Sequence, residues 1–138
     1  MYFADKAVVV VNPEVSSVRD SDRILGLLAS KTRRAETGEG EVTAYLLLTR
    51  YSPQRVENGE MLSITDVEEV LGLKTIGVVP ESGDVLNASN KGEPVIMDAE
   101  SNAGQAYDDA VARLLGEQRP MRFTHLEKKG FFSKLFGG

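Results

Sequence analysis

Three apolar runs, Ala7 to Val11, Tyr45 to Leu48 and Ile76 to Val79, limit what this chain can fold into. Each is near-continuous and rich in branched side chains, without the polar alternation of a half-solvated strand. Each therefore reads as a parallel strand covered on both faces. Amphipathic segments fall between them. Ser16 to Arg34 puts Val18, Ile24, Leu27 and Leu28 on an inward side and its charged residues elsewhere, and Gly38 and Gly40 mark the loop that follows. Thr65 is placed to cap a helix from Asp66 to Leu71, with Glu68 completing a capping box and Gly72 ending it. Asp84 to Asn90 reads as a short helix. Asn102 to Leu115 reads as an amphipathic one with Ala106, Ala110, Val111, Leu114 and Leu115 inward. Strands alternating with helices define an α/β domain on a parallel sheet with helices on both faces.

A sheet of three strands is narrow for this class, and the chain opens almost directly in a strand. Unpaired edges and half-covered faces are poorly stable, so further strands are expected from outside this sequence. The 138 residues suit one domain, complete or partial, and 41% hydrophobic with 27% charged content is that of an ordinary globular body. No apolar run approaches the roughly 20 residues that cross a bilayer. The N-terminus lacks the pattern of a secretory signal. With no cysteine there is no disulfide, thiol nucleophile or thiolate metal site, in keeping with a reducing cytosol. A net charge of -5 repels nucleic acid phosphates, so no nucleic acid partner is expected. The single histidine, His125, reads as a solvated linker residue.

Ligands of open parallel sheets bind at the carboxyl ends of the strands. Here those ends are Asn12-Pro13-Glu14, Thr49-Arg50-Tyr51 and Pro80-Glu81-Ser82, which suit a small-molecule edge but form no catalytic set. The sequence has no Gly-x-x-x-x-Gly-Lys-Ser/Thr loop, no Gly-x-Gly-x-x-Gly fingerprint, no nucleophile elbow and no clustered metal ligands. Alone, the chain does not read as an enzyme. The run Arg19-Asp20-Ser21-Asp22-Arg23 is either a charged helix face with ion pairs worth a few tenths of a kcal/mol or a contact surface near the ligand edge.

The last eleven residues differ from the acidic body. From Lys128 to Gly138 a helix would gather Phe131, Phe132, Leu135 and Phe136 into one arc flanked by Lys129 and Lys134, the pattern of a helix lying on a membrane. The competing reading is a terminal helix docked on the core. Four buried apolar side chains are worth roughly 6 to 12 kcal/mol gross, and each lysine adds about 1 kcal/mol on anionic lipid. So short a segment must be ordered on binding, which leaves a weak, reversible anchor. Two tails on one dimer would bind far more tightly, which suits switching by oligomerisation.

Several segments together resemble a known family: residues 12–26, Leu-Leu-Leu-Thr-Arg-Tyr at 46–51, Met-Leu-Ser at 61–63, Gly-Val-Val-Pro-Glu at 77–81, residues 88–95 and the Lys-Lys-Gly-Phe tail. They resemble the MinD septum-site-determining ATPases of the ParA/MinD family of P-loop ATPases. The resemblance covers essentially the whole chain, and the tail with the Arg-Asp-Ser-Asp-Arg helix separates it from chromosome-partitioning relatives. It is confined to the family's C-terminal half. The phosphate-binding loop with its paired lysines, the magnesium ligands and both switch regions lie in the other half, and a truncated gene model or fragment is expected.

The resemblance implies the C-terminal part of a P-loop, SIMIBI-type domain, divided into residues 1–119 of partial ATPase domain, a linker at 120–127 and an amphipathic membrane-targeting helix at 128–138. It implies an ATP- and magnesium-dependent homodimer, cytoplasmic and peripheral on the inner membrane, that recruits MinC and is released when MinE stimulates hydrolysis. By position, Thr49, Arg50, Pro80 and Glu81 fall at the adenine side of the nucleotide site, and Glu14 and Asp20 at or near the dimer interface. Met61, Asp66 and Asn90 match the surface that meets MinC and MinE, and Lys129, Phe131, Phe132, Lys134, Leu135 and Phe136 match the lipid-binding tail. Met61 also reads as a packing residue, Asp66 as a cap and Asn90 as a helix end. The expectation is a chain that does not hydrolyse ATP alone, the alternative being a non-enzymatic membrane-binding adaptor.

Overall fold

The computed structural model describes residues 4–30, 37–38 and 42–126. The expected membrane-targeting helix at 128–138 lies outside them, as does the end of the helix expected to reach Arg34. Strand β1 (Lys6–Val11) leads into α1 (Val15–Ser30), β2 (Thr43–Tyr51), α2 (Pro53–Glu57) and α3 (Ile64–Leu71). Strand β3 (Lys74–Pro80), α4 (Gly83–Lys91), a 3-10 turn (Val95–Met97) and α5 (Asn102–Leu114) complete the order. The three strands form one parallel sheet in the order β1-β2-β3, with Val9 opposite Leu46 and Leu48 opposite Val78. All three apolar runs are strands, so the α/β expectation holds.

Strand alternation splits the core between two faces. Leu46 and Leu48 point into a cluster with Val18 of α1 and Val67 and Leu71 of α3, while Leu47 points the other way, against Ala103, Ala106 and Ala110 of α5. The α5 side is built for close approach. A Cβ at Gly77 would sit 2.6 Å from the Ala110 Cβ, and one at Gly104 would sit 2.5 Å from the carbonyl oxygens of Val95 and Asp98. Glycine at both positions lets α5 lie directly on β3 and on the 3-10 turn.

Several expectations are corrected. On α1 the inward stripe is Val18, Ser21, Leu25 and Leu28, whereas Ile24 and Leu27 are 47% and 44% exposed, because no described element packs on that flank. On α5 the alanines face the sheet, and Val111 and Leu115, expected inward, are exposed. Helix α3 is capped by Ser63, not Thr65. Asp66, not Glu68, completes the box, because it lies three residues beyond Ser63 and accepts from the Ser63 N–H. Glu68 instead accepts from the backbone N–H of Thr75 at 3.1 Å, tying α3 to β3. Strand β1 is not covered on both faces: Val9 and Val11 are turned inward, but Val8 and Val10 are exposed.

Candidate functional site

The carboxyl ends of the three strands meet along one edge. Thr49 donates its hydroxyl hydrogen to Asn12 Oδ1 at 2.9 Å, joining the ends of β1 and β2. The next residue kinks the strand without ending it. Arg50 has a φ of 55°, in the left-handed region that non-glycine residues seldom occupy, and the β2–β3 register shifts between Leu48 and Tyr51. The twist turns Tyr51 into the core, where burial pushes its hydroxyl above the usual phenol range. Arg50 is left outside, 3.4 Å from Glu81 Oε1. The Glu81 N–H donates to the Tyr51 carbonyl at 3.0 Å, which fixes Pro80 and Glu81 beside the bulge.

Thr49, Arg50, Pro80 and Glu81 therefore come together. The guanidinium is planar and can stack on a flat group, and the carboxylate and hydroxyl beside it are hydrogen-bonding partners. Both members of the Arg50–Glu81 pair are well exposed, so it is worth about 0 to 1 kcal/mol and yields readily to a ligand. Among the described residues no group of three or more His, Asp or Glu side chains is arranged to hold a metal ion. The 138 residues contain no loop to cradle phosphates. The residues present offer a guanidinium, a carboxylate and a hydroxyl at this edge, and no loop for phosphates.

The other expected site residues lie apart. Glu14 follows the buried Pro13 and is 3.8 Å from Arg55, which also lies 3.8 Å from Glu60. Arg55 thus bridges the start of α1 to the loop after α2, a role not expected from the sequence. Asp20 sits on α1 in solvent, 3.7 Å from Arg23. Met61 is 7% exposed within the α1–α3 cluster, and its sulfur accepts from the Ser52 N–H at 3.4 Å. Asp66 is exposed at the start of α3, and its hydrogen bonds with Ser63 hold its carboxyl below the usual range. Asn90 is exposed in the last turn of α4.

A second cluster was not anticipated. Asp109, buried on α5, accepts from Arg122 Nε at 2.7 Å and Arg119 Nη1 at 3.2 Å. Burial alone would raise its carboxyl, but the hydrogen bonds from Arg122 and Arg119 outweigh it and hold the group below the usual range. Arg113 donates to the carbonyls of Ile76, Arg119 and Pro120. Residues 119–123, partly expected as linker, are fastened to α5, with the ring of Phe123 5.5 Å from the Arg122 guanidinium. Arg119 and Arg122, on either side of Pro120 and Met121, are the signal in the sequence.

A parallel sheet with this helix order and a ligand edge at its carboxyl ends is the fold of the MinD/ParA class of P-loop ATPases. No family model matches the sequence. The septum site-determining protein MinD of Escherichia coli K12 is 63% identical over all 138 residues, which make up 51% of that protein. The chain corresponds over its whole length to a C-terminal portion of MinD. It spans about half the length of the curated relatives it matches. The Aquifex aeolicus MinD cell division protein superposes with a TM-score of 0.78 at 38% identity, covering 88% of this chain and 48% of that one. MinD in an Aquifex aeolicus MinC:MinD complex superposes with a TM-score of 0.76 at 38% identity, covering 88% and 47%.

Proposed function

We propose that this chain acts in division-site placement as the C-terminal part of a MinD-type, membrane-associated ATPase. The observation that carries the reading is the 63% identity to MinD sustained over all 138 residues. In this reading Arg50 and Pro80 flank the adenine, Thr49 and Glu81 serve its polar edge, and the phosphates and magnesium belong to residues outside this sequence. Bound ATP supplies the energy and the signal for pairing, and Glu14 and Asp20 lie at or near the surface where two copies meet. Met61, Asp66 and Asn90 serve MinC and MinE. For Met61 that role runs through the packing of α3, since its side chain is buried. Lys129, Phe131, Phe132, Lys134, Leu135 and Phe136 hold the protein on anionic lipid at the inner face of the membrane. On its own the chain does not hydrolyse ATP.

The test is a chimera in which this chain replaces the matching half of the Escherichia coli protein. It is expected to restore division at the normal site in cells lacking MinD, and failure of a stably produced chimera would overturn the reading. A second reading, a non-enzymatic membrane-binding module, is favoured by the missing phosphate loop. Calorimetric titration of this chain with ATP separates the two, because measurable binding excludes a module that never meets nucleotide.

A further inference from the structure

A cleft of about 730 Å³ opens between α2, α3 and the last described residues. Tyr51, Pro53, Val56, Ile64 and Leu126 give it an apolar floor, and its rim is polar, with Glu57, Ser63 and Thr65 on one side and Thr124 and His125 on the other. Its size is that of a pocket for a bulky apolar group. The arginine clasp on Asp109 fastens residues 119–123 to α5, so the chain is delivered to the cleft at a fixed point. Twelve residues follow Leu126. The spacer 127–130 spans at most about 14 Å when extended, so Phe131 and Phe132 are never far from the cleft. On so short a tether their effective concentration there is on the order of millimolar, and even a weak site is filled. The charges agree, because Glu57 lines the cleft and Lys128, Lys129 and Lys134 flank the phenylalanines.

We propose that this cleft is the seat of the chain's own C-terminal segment, residues 131–136, when no lipid is present. Lipid and cleft compete for the same side chains, so the seat lowers membrane affinity until something draws the tail out. The competition rests on the membrane reading of the tail, but the seat itself does not.

The chain has no cysteine, so an engineered pair reports without background. Thr65→Cys with Ser133→Cys probes the seat, and Ser30→Cys with Ser133→Cys, at the opposite end of α1, is the control. The seat pair is expected to form an intramolecular disulfide faster than the control by on the order of tenfold or more. Adding Phe132→Glu is expected to abolish the difference, and anionic vesicles are expected to reduce it. Equal rates for the two pairs would overturn the seat, as would a preference untouched by Phe132→Glu. Disulfide-linked dimers in place of linked monomers would assign the cleft to the tail of a second copy and overturn the proposal as stated. A preference that vesicles leave unchanged, with no vesicle binding, keeps the seat and removes the membrane reading. Vesicle binding without a preference does the reverse.

Discussion

Arg50 and Gly77 show how single residues set the geometry of the carboxyl edge. At Arg50 the backbone is left-handed, which costs on the order of 1 kcal/mol or more for a side chain with a Cβ. Arg50→Gly is expected to leave thermal stability unchanged or raised, whereas Arg50→Val is expected to lower it by about 1 to 2 kcal/mol, because a branched Cβ tolerates positive φ worst. Equal effects of the two in urea unfolding would show that the bulge is not strained. Gly77 has the opposite constraint. An added methyl would meet the Ala110 Cβ at 2.6 Å and Leu47 Cδ1 at 2.7 Å, so Gly77→Ala is expected to cost about 1 to 3 kcal/mol. Ala110→Gly should recover only part of that loss, since Leu47 remains. At Asp109 the folded carboxyl is held below its ordinary value of 3.8. Its ionised form therefore contributes stability that is present above that value and is lost as pH falls through the lower, folded one. Urea midpoints measured from pH 7 down to about pH 2 should show an acid decline that is shallower in Asp109→Asn, which starts from a lower stability at pH 7. Parallel curves would contradict the clasp.

Among the elements, the strands were readable in advance because their apolar runs are continuous and rich in branched side chains, and all three runs proved to be strands, although β1 is covered on one face only. The helix details were less so. Thr65 with Glu68 and Ser63 with Asp66 satisfy the same capping pattern, and only the observed reciprocal hydrogen bonds decide for Ser63. Ser63→Ala is expected to cost about 1 kcal/mol in urea unfolding, while Thr65→Ala should cost little. On α5, the expected inward set of Ala106, Ala110, Val111, Leu114 and Leu115 holds for the two alanines but not for Val111 and Leu115, which are exposed. The sheet beneath carries Gly77, and a glycine floor selects the alanine face. The clasp from Asp109 to Arg122 joins α5 to a segment with no local periodicity, so pattern reading passed over it.

For the molecule as a whole, parallel topology dictates where the carboxyl ends of the strands lie, and Thr49, Arg50, Pro80 and Glu81 gather at that edge. Partner roles leave no such mark on a sheet and rest on likeness to MinD, while the membrane role rests also on the residue pattern of 128–138. The most direct measurement of the account is co-sedimentation of this chain and its Phe132→Glu variant with anionic vesicles, with and without ATP and magnesium. Weak capture of the parent chain, indifferent to ATP and abolished by Phe132→Glu, is the predicted result. Capture that requires ATP, or that survives Phe132→Glu, would contradict it.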